Sequence, residues 1–159
     1  MAVVTVTTVQ TCPPAACSAL AHAYAAPMDE RNVLDGPLEG CSSDPMTGWF
    51  RDGTCRTAPG DVGSHTICAV MTAEFLAHQQ SIGNDLSTPR PEFGFPGLVP
   101  GDRWCVTAPN WLRAQDEGVA APVVLASTSD AVLSLVSLEV LRSLAVDVPD
   151  DIQGLDAGD

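Results

Sequence analysis

Two hydrophobic periods share the chain. "HTICAVM", residues 65–71, is β-branched and apolar and too short for a helix, so it reads as a strand. Thr72 follows as an N-cap, and "AEFLAHQQS" (73–81) puts Phe75, Leu76 and Gln79 at helical spacing before Gly83 stops it. "DRWCVTA" (102–108) predicts a second strand, with a helix over 109–117 that begins on Pro109 and ends at Gly118. "PVVLAS" (122–127) predicts a third strand. Thr128 or Ser129 can cap a short helical turn after it, and Ser137 can cap "LEVLRSLA" (138–145), where Leu138, Leu141 and Leu144 share a face. Asp52-Gly53, set between Trp49-Phe50 and Thr54-Cys55, signals a hairpin or tight loop at 48–57.

Three to four short strands with two to four helices are too few for a doubly wound parallel sheet. The expected class is α+β, a small two-layer sandwich. Between the first helix and the second strand runs "GNDLSTPRPEFGFPGLVPGDRWC" (83–105), whose prolines and glycines leave Asp85–Gly101 irregular. Connections of this length are usually functional or disordered. Phe93, Phe95 and Leu98 are spaced to anchor it to the core, so an ordered Ω-type loop is expected.

The flanks read differently. Residues 1–27 hold no charged side chain, and 1–28 is expected to be a low-complexity extension before an alternative start at Met28. A signal peptide would carry a basic region before its apolar run, and none is present although "AHA" and "AYA" would suit cleavage; the expected location is therefore cytoplasmic. "VDVPDDIQGLDAGD" (146–159) reads as an acidic disordered tail, leaving 29–145 as the single globular domain.

Charge narrows the partners. The 159 residues hold 20 acids against 7 bases, every base an arginine, for a net charge of −13. Such a chain repels phosphate backbones, so no nucleic acid is expected. No apolar run is long enough to suggest a membrane span. The partner expected is a small molecule; the oligomeric state is not legible.

Chemistry concentrates in the turns. "DPMTGWFRDG" presents Asp44, Arg51 and Asp52, "DVGSHT" presents Asp61, Ser64 and His65, and the long loop presents Asn84, Asp85, Ser87, Thr88 and Arg90 before Asp102 and Arg103. Should loops 44–52, 61–65 and 84–103 converge, they would form a cleft for a polar or anionic small molecule, its carboxylate or phosphate held by arginine forks. The candidate ligand-binding residues are Asp44, Arg51, Asp52, His65, Asp85, Arg90 and Arg103. The plainer alternative is that turn carboxylates cap their own backbone, that Arg51 and Arg103 pair with Asp52 or Asp102, and that His65 is structural. Trp49, Trp104 and Trp111 read as core or rim packing. No catalytic signature is met, so whether the chain is an enzyme stays open.

Cys41, Cys55, Cys68 and Cys105 contain no C-x-x-C pair. Cys68 and Cys105, each inside an apolar strand, read as buried core thiols. The alternatives are a cluster of all four, closed by disulfides or by a structural zinc with His65 as a fifth candidate ligand, that stabilises a non-catalytic interaction module, and redox catalysis by a reactive thiol. Cys12 and Cys17, in "CPPAAC", match no metal motif, and no cofactor is predicted.

"RNVLDGPLEGCSSDPMTGWFRDGTC", "GSHTICAVMTAEFL", the 83–105 segment and "PVVLAST" together closely resemble the bacterial family called domain of unknown function 2237, over about residues 31–145. The resemblance implies a fold and no mechanism, since no activity is established for that family. Where the family resembles "GCC" this chain has Gly53-Thr54-Cys55, where it resembles "WCLC" this chain has Trp104-Cys105-Val106-Thr107, and Ser129 stands where the family tends to histidine. Thr54, Thr107 and Ser129 are therefore discounted as site residues.

Overall fold

A computed structural model describes residues 30–148; the expectations for the N-terminal extension and for the tail beyond 148 lie outside the described residues. The fold is mixed α+β, with a two-stranded sheet and three α-helices among the described residues. Strand β1 (His65–Val70) leads through Thr72 to helix α1 (Ala73–Ser81), and strand β2 (Arg103–Thr107) leads directly to helix α2 (Ala108–Asp116). Helix α3 (Leu138–Ser143) comes last. Local chemistry explains the helix starts: the Thr72 hydroxyl accepts the Phe75 N–H, the Ser137 hydroxyl accepts that of Val140, and Pro109 occupies the first turn of α2.

β1 and β2 pair antiparallel, with Cys68 opposite Cys105 and Ala69 opposite Trp104. Period-2 alternation then divides the side chains between two faces. Ile67, Ala69, Trp104 and Val106 enter the main core with Phe75 and Leu76 of α1, Trp111 and Ala114 of α2, and Leu141 of α3. Cys68 and Cys105 face the other way, into a second cluster with Cys41, Cys55 and Val124.

That second face corrects the expectation of free core thiols. Cys41 is bridged to Cys68 and Cys55 to Cys105. Residues 38–57 form no helix or strand and contribute little apolar side chain, so covalent ties to β1 and β2 hold the segment on the sheet. Its 48–57 part is a tight loop. Asp52 accepts hydrogen bonds from the backbone and hydroxyl of Thr54, turning the chain before a ladder can form, and Gly53 (φ +86°) accepts the Cys41 N–H.

The third strand expected at 122–127 shrinks to Val123, which bridges Ala69 on one side and Ala145 on the other. The chain then tightens into a 3-10 turn at Leu125–Ser127, because the Asp147 carboxylate takes the Leu125 and Ala126 N–H groups that a ladder would have used. Ser129 caps a further 3-10 turn at Asp130–Ser134.

Asp85–Gly101 closes on itself. Asp85 accepts from the backbones of Ser87 and Thr88, the Leu98 N–H reaches the Leu86 carbonyl, and Arg90 and Phe95 exchange backbone hydrogen bonds around the 3-10 turn Pro91–Phe93. Of the three expected anchors, Leu98 is buried and Phe95 packs against the core, while Phe93 stands 76% exposed. No helix among the described residues is long and apolar enough to cross a membrane.

Candidate functional site

Beside β2 the fold leaves a cavity of about 380 Å³, a volume within the range of small-molecule sites. Its walls come from the 48–51 turn (Gly48, Trp49, Arg51), from His65, from the long loop (Leu86, Arg90, Phe93, Phe95) and from Trp104 and Cys105. A smaller recess of about 220 Å³ adjoins it and shares Arg51, Phe93, Phe95 and Trp104.

Arg51 sits at φ +54°, a left-handed conformation rare for a residue with a side chain. The turn is fixed by Gly48 (φ +100°), where a Cβ would fall 2.3 Å from the Thr54 carbonyl oxygen. Held so, the Arg51 guanidinium lies 5.1 Å over the Trp104 ring, whose other neighbour is Phe95, edge-on at 5.3 Å. A cation over an indole face is attracted by the ring quadrupole, and one guanidinium N–H also reaches the Met46 carbonyl at 3.5 Å, which orients the group and leaves its remaining N–H groups for a ligand.

His65 is aimed by a bulge. Opposite Thr107 and Val106 the pairing jumps from His65 to Ile67, so β1 carries an extra residue there and the histidine leaves the regular alternation. Four residues earlier, Asp61 has a fully buried side chain that accepts three hydrogen bonds: from His65 Nδ1 at 2.7 Å, from the His65 backbone at 2.8 Å and from the Thr57 hydroxyl at 3.0 Å. Burial pushes the Asp61 carboxyl up, but the hydrogen bonds from His65 and Thr57 together outweigh it and hold the group below the usual carboxylate range. With Nδ1 donating to Asp61, Nε2 is the ring nitrogen left for a ligand. Trp49 stacks on the imidazole at 5.8 Å between centroids.

The seven expected ligand residues separate. Arg51, His65 and Arg90 meet at the cavity. Asp44 does not line it and is exposed. Asp52 pairs with Arg56 at 2.7 Å and faces a shallower depression beside Cys41 and Ser42; burial raises its pKa, while its bonds to Thr54 and Arg56 bring it below the usual range. Asp85 is occupied by Thr88 and Ser87, whose hydrogen bonds lower its pKa. Arg103 is exposed on β2, and Asp102 accepts the Val99 N–H instead of pairing with it. The carboxylates of Asp52, Asp85 and Asp102 satisfy local backbone, as short polar side chains in turns commonly do.

Two features escape sequence reasoning. Asp61 as the histidine's partner has a faint signal in its i, i+4 spacing to His65. The aromatic wall of Trp49, Phe93, Phe95 and Trp104 has none beyond the density of aromatics near Arg90, because three separate segments build it. The electrostatic outcome is simple: among the described residues neither Arg51 nor Arg90 has a carboxylate within ion-pair distance, and no acid lines the cavity.

The described residues include one group with metal-ligating spacing, the Sγ atoms of Cys41, Cys55 and Cys68, all within 4.8 Å of one another. Among curated proteins none matches the chain. Residues 31–145 match the family described as an uncharacterized protein conserved in bacteria, DUF2237, and the chain belongs to that family.

Proposed function

We propose that the cavity binds a small anionic molecule with an aromatic or other apolar arm. One observation carries the reading: in a chain of net charge −13, this concavity is lined by two arginines and a histidine and by no acid. The surrounding negative charge would repel an anion everywhere else, so unpaired guanidinium groups against aromatic faces are the feature that needs explaining. Strain at Arg51 supports it, since left-handed non-glycine residues cluster where geometry serves a ligand. His65, oriented by Asp61, would accept a proton or hydrogen bond from the same ligand through Nε2.

A second reading, a non-catalytic interaction module stapled by its cysteines, has the two bridges and the exposed Trp49 and Phe93 in its favour. The proposal includes a cytoplasmic location, where cellular dithiols keep most cysteines reduced and the bridges would open.

A thermal-shift screen separates the readings, using matched sets of carboxylates, phosphates, neutral isosteres and amines on the same aromatic and aliphatic frames. An anion at a hundredfold excess over its Kd adds about 2.7 kcal/mol to stability. Shifts from anions alone support the cavity; equal shifts from amines, or none from any set, favour the interaction module.

A further inference from the structure

We propose that the four domain cysteines form a metal site when reduced, binding one Zn²⁺ as a tetrathiolate in place of the two disulfides. The sulfurs come from four separate places, Cys41 and Cys55 on the irregular 38–57 segment, Cys68 on β1 and Cys105 directly opposite it on β2. Cys55 Sγ lies within 4.8 Å of both sulfurs of the Cys41–Cys68 bridge and is bonded to the fourth, Cys105. In a tetrahedral thiolate site with Zn–S of about 2.3 Å the sulfurs stand about 3.8 Å apart. Bonded pairs must therefore open by less than about 2 Å, Cys55 must close on Cys41 and Cys68 by about 1 Å at most, and Cys105, which stands outside that group of three, must close on it by a larger step that its bond to Cys55 limits to about 3 Å. All four cysteines are buried beside Val124, with the half-buried Val70 packed against them, so the site would be closed to water, as structural zinc sites are.

The chemistry balances. Each bridge takes two electrons and two protons from a dithiol, which leaves as its own disulfide, giving four cysteine thiols. Zn²⁺ then displaces up to four protons to bind the thiolates. The reduced, metal-free protein would leave the 38–57 segment untied. That segment carries Gly48, Trp49 and Arg51, so one wall of the cavity depends on either closure. The metal site itself rests only on the sulfur geometry and stands or falls apart from the anion reading.

The test uses the full chain with Cys12→Ser and Cys17→Ser, so that the four cysteines named here are the only thiols. After anaerobic reduction with a phosphine and removal of the reductant, Co²⁺ is titrated in and then displaced by Zn²⁺. Reduced protein should take up about one Co²⁺ per chain with the thiolate charge-transfer and intense visible bands of tetrahedral coordination, and oxidised protein should take up none. Cys41→Ser should weaken binding by no less than the roughly tenfold that loss of an outer-shell partner costs. Negligible uptake by reduced protein, the pale bands of an octahedral aquo site, or equal uptake by the oxidised form would each overturn the proposal. Because metal can gather unfolded cysteines, circular dichroism is recorded at each addition; uptake without native helical signal also counts against it.

Discussion

Opening the Cys55–Cys105 bridge should be among the most damaging single changes available to this fold. The bridge closes a loop of 50 residues and Cys41–Cys68 one of 27. In the chain-entropy account these closures cost the unfolded ensemble about 4.1 and 3.5 kcal/mol. The two loops interleave, since Cys55 lies between Cys41 and Cys68, so their combined effect is smaller than the sum. A domain of this size holds only about 5–15 kcal/mol in all and loses roughly 4 °C of Tm per kcal/mol. Cys55→Ser should therefore lower Tm by about 15 °C, and full reduction by about 20 °C or more. The assay is thermal and urea unfolding of oxidised protein against protein held in phosphine with a chelator, the chelator excluding rescue by zinc. Because the bridges act on the unfolded chain, the urea m-value should rise on reduction as that chain expands. A reduced, chelated protein that melts within about 3 °C of the oxidised one would refute the reasoning.

Three further substitutions test the frame of the site. Gly48→Ala puts a Cβ 2.3 Å from the Thr54 carbonyl at φ +100° and should cost at least about 2 kcal/mol by urea unfolding, with loss of Arg51 placement. Thr47→Val removes the buried hydroxyl that accepts the Cys105 N–H at 2.9 Å, stranding a donor in the core at about 1–3 kcal/mol. Asp61→Asn should cost about 2 kcal/mol at neutral pH through loss of a charged acceptor. Its pH dependence has a definite sign: the folded pKa of Asp61 is lowered, so its contribution is full above the unfolded value of about 3.9 and is lost as pH falls through the folded one. Stability curves of Asp61→Asn and wild type should therefore converge in acid, and a constant gap down to low pH would contradict this assignment.

Elements specified by adjacent residues were legible in the sequence. Thr72 and Ser137 cap where their helices start, and the apolar run at 65–70 became β1, because a cap or a period is written within one turn of chain. What depends on distant partners was not. "PVVLAS" has strand composition, yet Asp147, about twenty residues on, takes the N–H groups that would have extended the pairing beyond Val123. Four cysteines admit three pairings, and nothing in their spacing selects Cys41–Cys68 with Cys55–Cys105. The site divides the same way. Arg51, His65 and Arg90 could be named as chemistry-bearing residues, but their meeting depends on a β-bulge, a left-handed turn and the closure of the 85–101 loop. Asp52 and Asp85 look identical to ligand carboxylates until their local partners are known.

In the proposed site Arg51 and Arg90 hold an anion in the cavity. The most direct measurement of this is calorimetric titration of the strongest anion from the screen into wild type, Arg51→Gln, Arg90→Gln and Arg103→Gln. A hydrogen bond to a charged group contributes about 1.5–3 kcal/mol, so each cavity variant should bind at least roughly tenfold more weakly, while Arg103→Gln, exposed and outside the cavity, should bind as wild type. Equal losses at all three positions would mean that net charge alone attracts the ligand, and unchanged binding by Arg51→Gln and Arg90→Gln would contradict the account outright.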